Sequence, residues 1–344
     1  MRFLGKPQNP TLNLALQGGG AHGAFTWGVL DALLEDGRLR FEGVSGTSAG
    51  AMNAVVMAQG LMSGGADGAR AALQAFWTAV AATVPEHFTQ SSADGQNISL
   101  APMFKLMLQW TYYMAPEQLN PFDLNPLRDI ISGQIDFERL RRHSPVKLFI
   151  ATTQANSGKL RLFRNPELSA EVLLASACLP TVHRAIEIDG EPYWDGGYAA
   201  NPAVFPLFFE CRCSDVLLVL LTPLKHKSTP VSAADIHSRA LEIAFNATFL
   251  REMRMFAHLR EHLPRRWLNL QVGSLERRAQ QLRFHLIEAA DVLGELHADS
   301  KLAANLKFFD MLKKLGRERA RQWLDQHREQ LGRRSTLDLG TLFY

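Results

Sequence analysis

The sequence predicts an α/β fold of three layers (α/β/α), with helices on both faces of a mostly parallel central sheet and a C-terminal helical extension. Three observations carry this expectation. Two strand–glycine turn–helix units follow one another near the start of the chain, Thr11 to Glu35 and Phe41 to Leu61, and strands that alternate with helices pair in parallel. The run Val216 to Leu221 is apolar throughout, as a strand covered on both faces must be. From Ser232 onward the apolar spacing becomes mostly helical.

The elements follow in order. Residues 1–10 form a short, polar, proline-containing tail. Thr11 to Gln17 is a largely apolar strand that runs into Gly18-Gly19-Gly20-Ala21-His22-Gly23 and then a helix from about Ala24 to Glu35, with Leu30, Leu33 and Leu34 on one side. Phe41 to Ser45 is the second strand. It leads through Gly46-Thr47-Ser48-Ala49-Gly50 into a small-residue helix that reaches Leu61, and Ala66 to Val84 is an alanine-rich helix ending before Pro85. Residues 86–125 read as an insert. Glu86 to Asn97 is polar and loop-like, whereas Ile98 to Met114 is crowded with Met103, Phe104, Met107, Leu108, Trp110, Tyr112 and Tyr113. Methionine and aromatic side chains make adaptable apolar surfaces, so this stretch is either a lid over a ligand pocket or a helix packed on the core. Pro121 to Ile131 returns the chain toward the sheet, with Asn125-Pro126 opening a turn of helix. Val146 to Thr152 and Lys159 to Arg164 form a hairpin through Asn156-Ser157-Gly158. A short helix from Ser169 to Ala177 ends near Pro180, and Ile186 to Trp194 turns at Asp189-Gly190 before reaching Asp195-Gly196-Gly197. Residues 11–225 therefore form the α/β domain. In 226–344, Ala233 to His262 and Asn305 to Leu331 are helical patterns, and Leu282 to Ile287 reads as one more strand.

Composition sets the outer bounds. The chain has 344 residues, 47% hydrophobic and 21% charged, enough to bury a sizeable core. Its start does not resemble a signal peptide, and no apolar run approaches the roughly 20 residues that span a bilayer. Three cysteines without metal-ligand spacing point to a reducing, cytoplasmic setting. The net charge of +3 is uneven: residues 251–344 hold 18 Lys and Arg against 12 Asp and Glu, whereas 1–250 hold 19 against 22. The basic end is either a solvated helical face or a contact for an anionic membrane surface, centred on Leu312 to Arg334. Nothing in the pattern points to nucleic acid, and it carries no signal for an oligomeric state.

Chemistry concentrates at three places. Gly46-x-Ser48-x-Gly50 lies between a strand and a helix, where a serine on a sharp turn holds its hydroxyl above the sheet. Such a turn strains the backbone and brings other chain close, hence the small residues around it. The following helix contributes free N–H groups and its positive end. The competing reading makes Ser48 a helix cap in a glycine-rich turn. Gly18-x-Gly20-x-x-Gly23 matches the dinucleotide fingerprint literally. That fingerprint needs an acidic residue at the end of the second strand, where Gly46-Thr47-Ser48 stand instead; Glu42 lies at the wrong end. The other use of the loop is to aim amides at an oxygen held by Ser48, together with the N–H of Ala49. The base is either a histidine of a Ser-His-Asp triad, with His22 and His183 the candidates, or Asp195 itself. Alone, Asp195-Gly196 reads as a turn, and Asn53 and Asn201 read as structural.

Taken in order, these three motifs resemble the patatin-like phospholipase family over roughly residues 11–225. Ala175-Ser176-Ala177-Cys178-Leu179-Pro180 is similar to the family's stretch before its Asp-Gly-Gly turn. The resemblance implies a patatin-like hydrolase fold and a lipid acyl hydrolase that cleaves fatty-acyl esters through a serine acyl-enzyme, without metal or cofactor. It implies Ser48 as nucleophile and Asp195 as general base in a dyad without histidine. Gly18, Gly19 and Gly20 become oxyanion-hole donors with Ala49, and Gly23, Gly46, Gly50, Gly196 and Gly197 support the motifs. The insert becomes a lid or acyl-chain pocket. The implied substrate is a lipid or phospholipid, met in the cytoplasm or peripherally at an anionic membrane. His22 departs from the family, where many members carry Arg or Lys, and a histidine would make the loop's charge pH-dependent. Residues after about 225 match no motif. The alternatives are the same fold acting on a non-lipid ester or polyester, and a dinucleotide-binding oxidoreductase.

Overall fold

Apolar strands that alternate with amphipathic helices are buried on both faces, and these chains build the centre of the molecule. A computed structural model describes residues 9–85, 88–91, 98–102, 105–106, 110, 113–262 and 273–344. Strand β1 (Thr11–Leu16) is followed by helix α1 (Gly23–Asp36), β2 (Arg40–Thr47) and α2 (Ala49–Ala82). Helix α2 joins the two helices that the sequence predicts, across a break at Gly64 and Gly65 where the dihedrals leave the helical region. A small hairpin, β3 (Thr89–Ser91) with β4 (Ile98–Leu100), precedes α3 (Pro126–Gln134) and α4 (Phe137–His143). Then come β5 (Lys147–Gln154), β6 (Leu160–Arg164), α5 (Ala170–Ser176), β7 (Ile186–Ile188), β8 (Glu191–Asp195), α6 (Phe205–Glu210) and β9 (Asp215–Val219). The chain closes with α7 (Ala233–His262), α8 (Ser274–Gln281), β10 (Arg283–Ile287), α9 (Leu306–His327) and α10 (Leu339–Phe343).

The sheet runs in the order β10–β9–β1–β2–β5–β8–β7, with β6 also on β5. Its strands are parallel from β10 to β5, and β6, β8 and β7 are antiparallel additions. One junction matters for the site. Strand β2 pairs with β5 as far as Thr47 opposite Ala151, and β8 pairs with the same strand from Asp195 opposite Thr152. Because β6 covers the other side of β5 at both positions, β2 and β8 share one side and meet end to end. The last residue of each therefore arrives at the same point, although the two lie far apart in sequence.

The helical layers pack closely. Helices α1 and α9 cross at Gly28 and Gly316, where an added Cβ would stand 2.1 Å from the carbonyl oxygens of Lys313 and Phe25 respectively. Trp27 of α1 stacks on Trp77 of α2, and Phe309 of α9 meets Trp77 edge-on at 5.0 Å. On the other face, Phe249, Met253 and Phe256 of α7 pack with Phe284 of β10 and Leu218 of β9. In the insert, Met103, Phe104, Met107, Leu108 and Tyr112 lie outside the described residues; Trp110 and Tyr113 are exposed, whereas Ile98 and Leu100 are buried. No helix among the described residues is long and apolar enough to cross a membrane.

Candidate active site

The turn after β2 is strained. Ser48 has φ 52° and ψ −122°, a left-handed conformation that costs a residue with a side chain on the order of 1–3 kcal/mol and persists only where its surroundings impose it. The surroundings here are specific. The Ser48 N–H donates to Ser176 Oγ at 3.0 Å, and that hydroxyl donates to Ala151 O at 2.7 Å, tying the turn to α5 and β5. Glycine is required on both sides: a Cβ on Gly46 would stand 2.5 Å from Gly50 O, and one on Gly50 would stand 2.2 Å from Leu16 O. Ser48 is the N-cap position of α2, yet its side chain does not cap the helix.

Asp195 arrives beside Ser48, where β2 and β8 end opposite neighbouring residues of β5. The Gly197 N–H donates to Asp195 Oδ1 at 2.7 Å, and the Ser48 side chain lies near enough to favour the charged carboxylate. The aspartate backbone is held by Asp195 N–H to Cys178 O at 2.8 Å and by Thr153 Oγ1 donating to Asp195 O at 2.8 Å. Gly196 lies flat on β5, where a Cβ would meet Ala151 O at 2.2 Å. Asp195 is only 2% exposed. Burial pushes its pKa up to about 7, against the opposing hydrogen bonds from Gly197 and Ser48.

The glycine loop after β1 is anchored by Gln17, whose Oε1 accepts the N–H groups of Leu221 at 2.6 Å and Thr222 at 2.9 Å. Gly18 lies against the elbow: a Cβ there would stand 2.9 Å from Ser48 Cβ. Its amide corrects one expectation. Gly18 N–H donates to Asn201 Oδ1 at 2.7 Å, so it is not a free oxyanion donor; Asn201 fixes the loop instead. The N–H groups of Gly19, Gly20 and Ala49 take no acceptor among the described residues. Gly20 adopts φ 58° and presses on the chain at Lys301, whose carbonyl oxygen would lie 2.2 Å from an added Cβ. Gly23 is likewise closed in by Ala49 and Trp77.

Neither candidate histidine reaches Ser48. His22 is buried, and its Nε2 lies 2.7 Å from Ser300 Oγ. The Ser300 hydroxyl donates to His297 O, so Nε2 carries the ring proton. Burial, then the nearby Lys301 charge, lowers the His22 pKa to about 3. This corrects the expectation of a pH-dependent loop charge: His22 is neutral throughout the physiological range, and the cation beside the loop is Lys301. His183 lines the cavity, with its pKa lowered chiefly by burial, and makes no hydrogen bond to Ser48 among the described residues.

Ser48 and Asp195 open into a cavity of about 760 Å³. One wall is apolar, with Met52, Phe76, Trp77, Val80, Leu127 and Phe309; another is polar, with His226, Arg239, Glu242 and Lys301. Ser176, Asn201 and the polar wall are what motif reading missed. Ser176 stands in the segment noted before the Asp-Gly-Gly turn, and Asn201 was assigned only a structural part, which it has. For Arg239 and Lys301 the sequence holds no local signal.

A mostly parallel α/β/α sheet with its strand-end serine over an acyl-sized apolar cavity is the architecture of lipid acyl hydrolases. The comparison with known families agrees: the model described as patatin-like phospholipase matches residues 14–208, and the chain belongs to that family. Among solved structures, the crystal structure of VipD from Legionella pneumophila aligns with a TM-score of 0.44 and 17% identity, covering 93% of this chain and 67% of that one. No curated protein sequence shows a significant match. The family match ends before the polar wall begins.

Proposed function

We propose that the protein hydrolyses fatty-acyl esters of lipids through an acyl-enzyme on Ser48, with Asp195 as general base. The observation that carries this reading is the meeting of a strained elbow serine and a buried aspartate where β2 and β8 end against the same strand. Ser48 Oγ attacks the ester carbonyl while its proton passes to Asp195. The tetrahedral oxyanion is met by the N–H groups of Gly19, Gly20 and Ala49 at the N-terminus of α2, each good donor lowering the barrier by about 3 kcal/mol. Collapse expels the alcohol, which takes the proton from Asp195. Water then attacks the acyl-enzyme, Asp195 receives its proton, and release of the fatty acid returns the proton to Ser48. A free aspartate is too weak a base for this cycle; one raised to about 7 is matched to neutral pH.

The apolar wall suits an acyl chain, and the exposed Trp110, Tyr113, Phe122 and Leu124 of the insert suit contact with a lipid surface. The dinucleotide reading loses ground because the loop packs on a serine and the amide of its first glycine is engaged by Asn201. The test is direct. A fluorophosphonate should label wild type at Ser48, and Ser48→Ala and Asp195→Asn should keep the wild-type fold by circular dichroism while losing turnover of a fatty-acyl ester at least 1,000-fold, roughly the scale of losing the nucleophile or base of a serine hydrolase. Labelling at another residue, or near-normal turnover by both variants, would remove the dyad.

A further inference from the structure

We propose that Arg239 and Lys301 form an anion subsite that holds the phosphodiester of a lipid substrate beside the scissile ester. The inference rests on the reading of Ser48 as nucleophile and adds the residues that select the substrate. Neither residue belongs to the segment matched by the family; one comes from α7 and the other from the short turn after Ala298.

The geometry leaves Lys301 without a close acceptor among the described residues. Glu242 is the carboxylate at the centre of the polar wall. It takes His226 Nε2 at 2.7 Å and pairs with the Arg239 guanidinium in direct contact. Lys301 Nζ lies 3.9 Å from the other Glu242 oxygen, beyond hydrogen-bonding distance. One carboxylate thus serves two fixed cations and a histidine. The other acid on this wall, Asp235, is exposed and accepts Ser232 Oγ at 2.6 Å. Lys301 is only partly compensated: burial lowers its pKa, and Glu242 offsets this in part. A partly desolvated ammonium without a close partner is costly, and a bound phosphate oxygen would supply a charge-assisted acceptor.

Position makes the anion part of a substrate. The Lys301 carbonyl is packed on Gly20, which fixes the residue beside the loop whose first glycine packs on Ser48. The apolar wall lies in the same cavity. A ligand that satisfies both walls carries an acyl chain, an ester at Ser48 and an anion a handful of bonds further on. A glycerophospholipid has that order of groups; a neutral acylglycerol leaves the cations unanswered.

The experiment compares kcat/KM for oleoyl lysophosphatidylglycerol and monooleoylglycerol in the same neutral detergent micelles, for wild type, Lys301→Gln, Lys301→Arg and Arg239→Gln. The ratio of the two values cancels any general effect of disturbing the Gly20 contact. It should fall about 10–100-fold in Lys301→Gln and Arg239→Gln, as expected for losing a hydrogen bond to a charged group, and recover in large part in Lys301→Arg. An unchanged ratio would overturn the subsite. Glycerol 3-phosphate and inorganic phosphate are then titrated calorimetrically into Ser48→Ala, with and without Lys301→Gln. Lys301-dependent binding supports the subsite whatever the fate of the nucleophile reading, which turnover by Ser48→Ala would itself sink. Phosphate binding with no preference between the two substrates would mark an incidental anion site and overturn the headgroup assignment.

Discussion

At the residue scale, the decisive quantity is the proton on Asp195. Its folded pKa is raised from 3.8 to about 7, so between those values the folded state holds a proton that the unfolded state has released. Stability therefore falls as pH rises through this window. The same proton blocks general-base catalysis, so kcat/KM should rise with pH and level off above about 7. The stability half is testable without substrate. At pH 8 Asp195→Asn should be more stable than wild type by on the order of 2 kcal/mol, because it replaces a desolvated carboxylate by a neutral isostere. At pH 4 the difference should largely vanish, since the unfolded carboxyl is then substantially protonated as well. Urea unfolding at the two pH values measures both; a gap independent of pH would contradict a raised pKa. Ser48 and Asp195 were legible in the sequence because the chemistry demands fixed chain neighbours, namely glycines at the elbow and after the aspartate. The engagement of Gly18 by Asn201 was not, since it arises only where two distant segments meet. His22 was misread for a similar reason: only the folded surroundings of Ser300 and Lys301 hold it neutral.

At the element scale, the close crossing of α1 and α9 rests on two glycines that look incidental in sequence. A Cβ on either would overlap a carbonyl oxygen of the facing helix, so the helices must separate or bend. Gly28→Val and Gly316→Val should each lower stability by about 3 kcal/mol, the upper end for overpacking a core. Gly133 of α3 provides the control, because a Cβ there meets nothing within 4 Å; Gly133→Ala should be neutral or slightly stabilising through helix propensity. Urea midpoints report all three, and equal midpoints for the valine variants and wild type would refute the close crossing. Elements with a strong local pattern were readable: the hairpin β5–β6, the Asp189-Gly190 turn between β7 and β8, and the all-apolar β9. Short helices such as α4 and α6 give too few turns for periodicity to show. The break in α2 was visible as a gap between two helical runs, because Gly64 and Gly65 stand there without side chains.

At the scale of the whole molecule, the question is whether residues 226–344 are an appendage or part of the fold. Strand β10 extends the parallel sheet beyond β9, and Asp215 at the start of β9 clamps it. That carboxylate takes Arg283 at 2.8 Å, His285 Nε2 at 3.1 Å and the Gly332 N–H at 3.0 Å. Burial would raise its pKa, but these bonds outweigh it and bring it down to about 2. Helix α9 covers α1, burying Phe308, Phe309, Leu312, Trp323 and Leu324. Its basic residues are also engaged within the chain: Arg317 pairs with Asp31 and Glu35, Arg321 with Glu35, and Lys313 sits 4.1 Å from the Trp27 ring centre. The helix that reads from sequence as either a solvated basic face or a contact for an anionic membrane thus has much of its charge committed to the fold. Cutting the chain after residue 225 would strip the outer face of α1, expose the edge of β9 and leave Asp215 without its buried partners, a loss that for the ion pair alone is about 3–5 kcal/mol. Marginal domains hold only about 5–15 kcal/mol in total. We therefore expect a fragment of residues 1–225 to be insoluble or molten, whereas the full chain unfolds in a single transition seen alike by fluorescence and circular dichroism. A soluble fragment with a cooperative melt and ester turnover would show instead that the catalytic half folds on its own.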